Sequence, residues 1–152
     1  MTESKNTQMI TLLVLAIIGR AVLKLFPLPS VEPIIPLAVL AGITLGMDAG
    51  IIVGAGGFFL SNFLVPGGQG FWTIWQAMGA GLAGLLPAIT GQTKKIEEIS
   101  SEYYLGMTLA GIFLFEILIN IQYGDFLVFP FSAIHLISGA IISYFIYLIA
   151  KK

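Results

Sequence analysis

The chain has no cysteine, one histidine and very little charge. Without cysteine there are no disulfides, thiolate nucleophiles or soft metal sites, and either redox compartment suits it. A lone histidine, His135, with no second histidine or cysteine to complete a ligand set, argues against a bound metal. Asp, Glu, Lys and Arg make up 10 % of the 152 residues, against about 25 % in an ordinary soluble domain. A net charge of −1 leaves no basic surface to neutralise phosphates, so a nucleic-acid partner is excluded. No G-x-x-x-x-G-K-[ST] motif occurs, and the loop Gly67-Gly68-Gln69-Gly70 stands alone, which excludes ATP hydrolysis by that route. Ser61 lacks the glycine setting and paired histidine of an intramembrane serine protease, and Asp48 and Asp125 fall in predicted loops. Neither enzymatic activity nor a cofactor is expected.

What the chain does have is apolar length. Hydrophobic residues make up 57 % of it, and the mean hydropathy is +0.97. A spanning helix needs about 20 apolar residues, so roughly 25 per helix with its loop allows at most six spans and no separate soluble domain. The expected fold is therefore an all-α integral membrane protein, one transmembrane domain over residues 1–152.

Six helices are predicted. Helix 1 covers about Met9–Phe26, after the polar stretch Met1–Gln8, and stops at Pro27-Leu-Pro29-Ser-Val-Glu-Pro33. No A-x-A cleavage site ends that run, so it reads as a transmembrane helix rather than a signal peptide. Helix 2, with Pro36 in its first turn, ends near Gly46, and its length leaves open whether it spans fully. Helix 3 follows the tight connection Met47-Asp48 and runs to about Val65. Helix 4 covers about Phe71–Thr90, helix 5 about Ser101–Gln122. Gly124-Asp125 then turns the chain into helix 6, which ends at Lys151-Lys152.

Loop charge sets the orientation. With the N-terminus inside, Lys5, Lys94, Lys95, Lys151 and Lys152 collect on one side and only Lys24 on the other, so both termini are expected in the cytoplasm. Trp72, Trp75 and Tyr123 then fall near the outer interface, Tyr103 and Tyr104 near the inner one.

Threaded this way, Arg20, Asn62, Gln76, Glu116, Asn120 and His135 all land in the outer third. Arg20 and Glu116 each lie six residues from a helix end, roughly 9 Å deep at ~1.5 Å per residue. A charge at the centre of a spanning helix costs on the order of 2.5–3.5 kcal/mol. Five helices carrying polar groups at one depth point to a shared, outward-facing substrate pocket. Arg20 and Glu116 are expected either to form a structural ion pair, since a buried charge needs a partner, or to bind the ligand directly, with an anionic or acceptor group on Arg20 and a donor on Glu116. Ser132, His135 and Ser138 make one polar stripe on helix 6. Trp72, Trp75 and Gln76, at i, i+3 and i+4, form a patch suited to stacking a planar ligand. Glu32, in the loop after helix 1, joins the candidate set. Twelve of the eighteen glycines fall between Gly42 and Gly84, and Gly42-x-x-x-Gly46 and Gly50-x-x-x-Gly54 are patterns that let helices approach closely.

Ser30-Val-Glu-Pro33, Ala38-Val-Leu-Ala-Gly42, Gly54, Ser61-Asn62-Phe63 and Gly70-Phe-Trp72-Thr-Ile-Trp75-Gln76 together resemble the S components of energy-coupling factor (ECF) transporters, over roughly residues 15–87. The resemblance implies a six-helix cell-membrane subunit that binds a vitamin or related small polar micronutrient from outside. Its partners would be a transmembrane coupling protein and two ATPase subunits, with toppling in the membrane delivering the ligand. The family often carries A-x-x-x-A in helix 1 for docking. Here Leu12 and Arg20 stand four residues either side of Ala16, which leaves Ala16 with Gly19 as the small-residue face. An autonomous small channel or secondary carrier gated by Arg20 and Glu116 is the alternative, and a structural or assembly factor docking through its glycine faces a third.

Overall fold

A computed structural model describes residues 4–26, 29–89, 91 and 93–152. The described residues are all-helical, with no strand. The helices are α1 (Lys5–Leu23), α2 (Ile34–Leu45), α3 (Met47–Ile51), α4 (Gly57–Ser61), α5 (Phe71–Ile89), α6 (Ser101–Ile121) and α7 (Phe131–Ala150). The segment Ile52–Gly56 joins α3 to α4 as a single stretch of π-helix, so Met47–Ser61 behaves as one helix with a widened turn. Counted so, six helices alternate in direction. Lys5, Lys94, Lys95, Lys151 and Lys152 gather at one end, and the loops holding Ser30, Gly67 and Asp125 at the other; these are called the lysine end and the pocket end below.

Three helices, α1, α6 and α7, are long and apolar enough to cross a membrane. The exterior is apolar too: Ile18, Ile74, Ile137 and Phe145 are each more than half exposed. Water rejects such a surface and hydrocarbon accepts it.

α2 is the centre of the bundle. Its sequence is apolar on every side, the pattern of a helix enclosed by others, and all its residues from Ile34 to Ile43 are buried. Pro36 sits where a helix has no use for the missing N–H. The Glu32 carboxylate accepts from the backbone amides of Ile34 and Ile35, capping the helix. Gly46, at φ +100°, ends it in a conformation only glycine holds without strain. Twelve residues reach about 18 Å at ~1.5 Å per residue, so α2 starts well inside the bundle and the chain from Pro29 to Pro33 descends to meet it.

Glycine sets how close α5 lies to its neighbours. A Cβ on Gly50 would fall 2.1 Å from the carbonyl oxygen of Gly84, one on Gly42 2.1 Å from the same atom, and one on Gly54 2.1 Å from the carbonyl oxygen of Ala80. The close-packing reading of Gly42, Gly50 and Gly54 therefore holds, while Gly46 serves as the cap instead.

Several boundaries move. α1 begins four residues before Met9, because Ser4 caps it by accepting from the Thr7 amide at 3.3 Å, and it ends at Leu23. Met47–Ser61 stops short of Val65, and Asp48 belongs to the first turn of α3 rather than to a loop. Residues 125–130 remain a loop, so α7 starts later than expected and His135 lies four residues inside it. Tyr104 faces the bundle interior, donating to the Pro36 carbonyl at 2.8 Å. Ala16 is fully buried and Gly19 packs under Pro33, so this small-residue face is interior and offers no docking surface. Pro27, Leu28, Thr90 and residues 1–3 lie outside the described residues.

At the lysine end, Lys5 bonds both carboxylate oxygens of Asp48 at 2.9 Å. The pair ties the start of α1 to the start of α3. Both partners are exposed, so the effect is small. Asp48→Asn is expected to leave the melting temperature of the solubilised protein unchanged at pH 7.

Candidate functional site

A cavity of about 400 Å³ opens at the pocket end, between α1, α5, α6, α7 and the segment leading into α2. Two hydrogen-bonded networks form its walls.

The first is built on Arg20. One turn from the end of α1, its side chain is 5 % exposed. Nη1 donates to Ser61 Oγ at 2.7 Å and to Asn62 Oδ1 at 2.6 Å. The Asn62 Nδ2 amide donates in turn to Thr73 Oγ1 and Gln76 Oε1, both at 2.9 Å. Thr73 Oγ1 also accepts from the Gly70 amide at 3.2 Å, fixing the start of α5. The chain of donors and acceptors thus ties α1 to the end of α4 and the first turns of α5. Arg20 Nε has no partner although it is buried.

The second network is built on His135, which bridges two carboxylates. Its Nδ1 stands 2.7 Å from Glu116 Oε1 and its Nε2 3.0 Å from Glu32 Oε1. Ser132 Oγ donates to Glu116 Oε2, and Asn120 Nδ2 donates to the same oxygen at 3.2 Å. A neutral imidazole has only one N–H, so two carboxylate contacts require one extra proton, on the ring or on one of the acids. In either form the triad carries a net charge of −1. Glu32, Glu116 and His135 are all buried, and the bridge joins the start of α2 to α6 and α7.

Aromatic rings separate the two networks. The Arg20 guanidinium lies 4.7 Å from the Phe58 ring centroid. Phe58 stacks on Phe115 at 5.0 Å, and Phe115 meets His135 edge-on at 5.4 Å. Arg20, Phe58, Phe115 and His135 therefore form a row across the cavity wall.

Of the nine candidate residues, Arg20, Glu32, Gln76, Glu116, Asn120 and His135 line the cavity. Asn62 sits directly behind Arg20 and Gln76. Trp72 and Trp75 do not line it. Trp72 faces outward at 40 % exposure, folded over Gly70, and Trp75 packs edge-on against Phe71. The aromatic rings that line the cavity are instead those of Phe58, Phe115, Tyr123 and Phe131. The expected Arg20–Glu116 ion pair is also replaced: Arg20 bonds to neutral partners on α4, and Glu116 bonds to Ser132, His135 and Asn120. Both charges found nearer partners than each other.

Sequence reasoning missed Lys24, Phe58 and Phe115 at the cavity, and Ser61 and Thr73 behind it. The two phenylalanines carry no signal in an apolar helix. Lys24 does, lying four residues after Arg20 on the same helical face.

Compared with protein-family models, curated proteins and solved structures, the chain finds no match.

Proposed function

We propose that this chain is the substrate-binding membrane subunit of an ECF-type importer, taking up a vitamin-like micronutrient. The observation that carries it is the 400 Å³ cavity at one end of an apolar-surfaced bundle, walled by buried polar side chains from several helices. Its volume falls in the range of small-molecule sites, ~300–1,000 Å³. The sequence resemblance over roughly residues 15–87 supplies the family.

In this reading all six helices cross the cell membrane with both termini in the cytoplasm. The short α2 completes its passage through the descending chain from Pro29 to Pro33. The five lysines of the opposite end then face the cytoplasm, in accord with the bias of inner loops, and the cavity faces outward. The transmembrane coupling protein and two ATPases supply the energy that this chain has no motif to harvest.

The test pairs binding with flux. The purified chain in nanodiscs should melt at a higher temperature with one member of a vitamin and nucleobase panel. Reconstituted alone in liposomes it should give negligible uptake of that compound. Uptake should appear on adding an ECF module and ATP. Steady flux without any ATPase would replace the importer reading with that of an autonomous carrier.

A further inference from the structure

At the cavity both carboxylates are already engaged by protein donors, while several donors are left over. Glu116 receives His135 on one oxygen and both Ser132 and Asn120 on the other. Glu32 receives His135 on Oε1 and the amides of Ile34 and Ile35 on Oε2. The Asn62 carbonyl oxygen must face Arg20, a group with donors only. Its amide nitrogen is thereby turned toward Gln76, whose carbonyl oxygen accepts from it. This orientation leaves the Gln76 Nε2 amide unspent at the cavity wall.

Three of the donors at the cavity have no acceptor among the described residues. These are Arg20 Nε, which is buried and unpaired, the Lys24 ammonium, and Gln76 Nε2. All three residues line the cavity. Formal charge agrees. The His135 triad contributes −1 wherever its shared proton sits, and Arg20 with Lys24 contributes two positive charges, so the side chains around the cavity sum to +1. A buried donor left unpaired is costly, and a cationic one more so.

We infer that the site takes an oxyanion, a carboxylate or phosphate group of the ligand, on Arg20 Nε, Lys24 and Gln76. This rests on the binding-subunit reading above and narrows it: cationic ligands are disfavoured, and Glu116 and Glu32 are structural supports rather than ligand acceptors. The aromatic row from Phe58 to Phe115 lies beside the anion position and offers the apolar wall for the rest of the molecule.

Matched probes test this on the purified full chain. Nicotinate is compared with nicotinamide, biotin with biotinamide, and pyridoxine 5′-phosphate with pyridoxine, with thiamine as a cation. Thermal shift and calorimetry give affinities, and native mass spectrometry reads any small molecule that copurifies. The expected result is binding of a carboxylate or a phosphate probe, with the uncharged twin roughly 10- to 100-fold weaker, the span of a charge-assisted hydrogen bond. The acid and ester pairs separate the two anion sources. Copurification of an anionic molecule supports the inference equally. Arg20→Gln should weaken the bound anion by a similar factor. Because Arg20 also holds Ser61 and Asn62, Lys24→Gln provides a second variant at a side chain with no hydrogen bond or ion pair to the described residues, and it should weaken binding roughly 5-fold or more. Equal affinity for an acid and its amide, or binding of thiamine or a copurified cation alone, overturns the anion assignment and leaves the binding reading intact. No binding by any probe and no copurified molecule overturns both.

Discussion

Glu116→Leu is expected to destabilise the folded protein by about 3–5 kcal/mol, the usual effect of removing one partner from a buried ionic group. The substitution leaves His135 Nδ1, Ser132 Oγ and Asn120 Nδ2 without their common acceptor, all of them buried. In a chain of this size that corresponds to a fall of roughly 6–20 °C in melting temperature, at ~2–4 °C per kcal/mol. The double variant Glu116→Leu with His135→Leu removes the stranded imidazole as well, while Glu32 keeps its bonds to the α2 amides. It should therefore lose less than the two single changes summed, with a coupling of about 1–3 kcal/mol. Melting curves of the four proteins in one detergent measure it. Strict additivity would show that the three residues do not act as one unit.

Gly84→Val should be as damaging for a different reason. A Cβ there would lie 2.2 Å from the carbonyl oxygen of Gly50 and 2.5 Å from its carbonyl carbon. Those are backbone atoms, so relief requires α5 to withdraw from α3, and overpacking of this kind costs ~3 kcal/mol. In a bilayer the loss is sharper in kind, because lipid is as apolar as the helix faces and close contact is what holds them together. Since α5 also carries Thr73 and Gln76, withdrawal pulls at the Asn62 network. Gly106→Ala is the control. It lies in α6 with no heavy atom near the added carbon, and replacing a helical glycine by alanine gains about 0.5–1 kcal/mol. A Gly84→Val protein that melts with the parent would mean the helices are not in contact there.

Much of the site was legible before the fold was known, because helical rise converts residue number into depth. Arg20, Gln76, Glu116, Asn120 and His135 share a cavity as that arithmetic predicts, with Asn62 immediately behind. Depth does not specify azimuth. Arg20 and Glu116 lie at one level yet on different sides of the stacked Phe58 and Phe115, so their pairing could not be read from spacing. Trp72 and Trp75 failed for the same reason: the right level, the wrong face. Glu32 was picked from a loop whose depth the sequence could not give. A glutamate two residues before a wholly apolar helix that opens Ile34-Ile-Pro36 is a capping signal, and it explains how this acid comes to be buried.

The enclosure of α2 has a consequence for how the chain is made. Twelve residues on ~18 Å cannot hold a place across ~30 Å of hydrocarbon unaided. In the six-span reading proposed above, this segment would therefore have no stable station of its own during synthesis. It would be held only once neighbouring segments close around it, so that reading has α2 entering the bilayer together with its neighbours rather than alone.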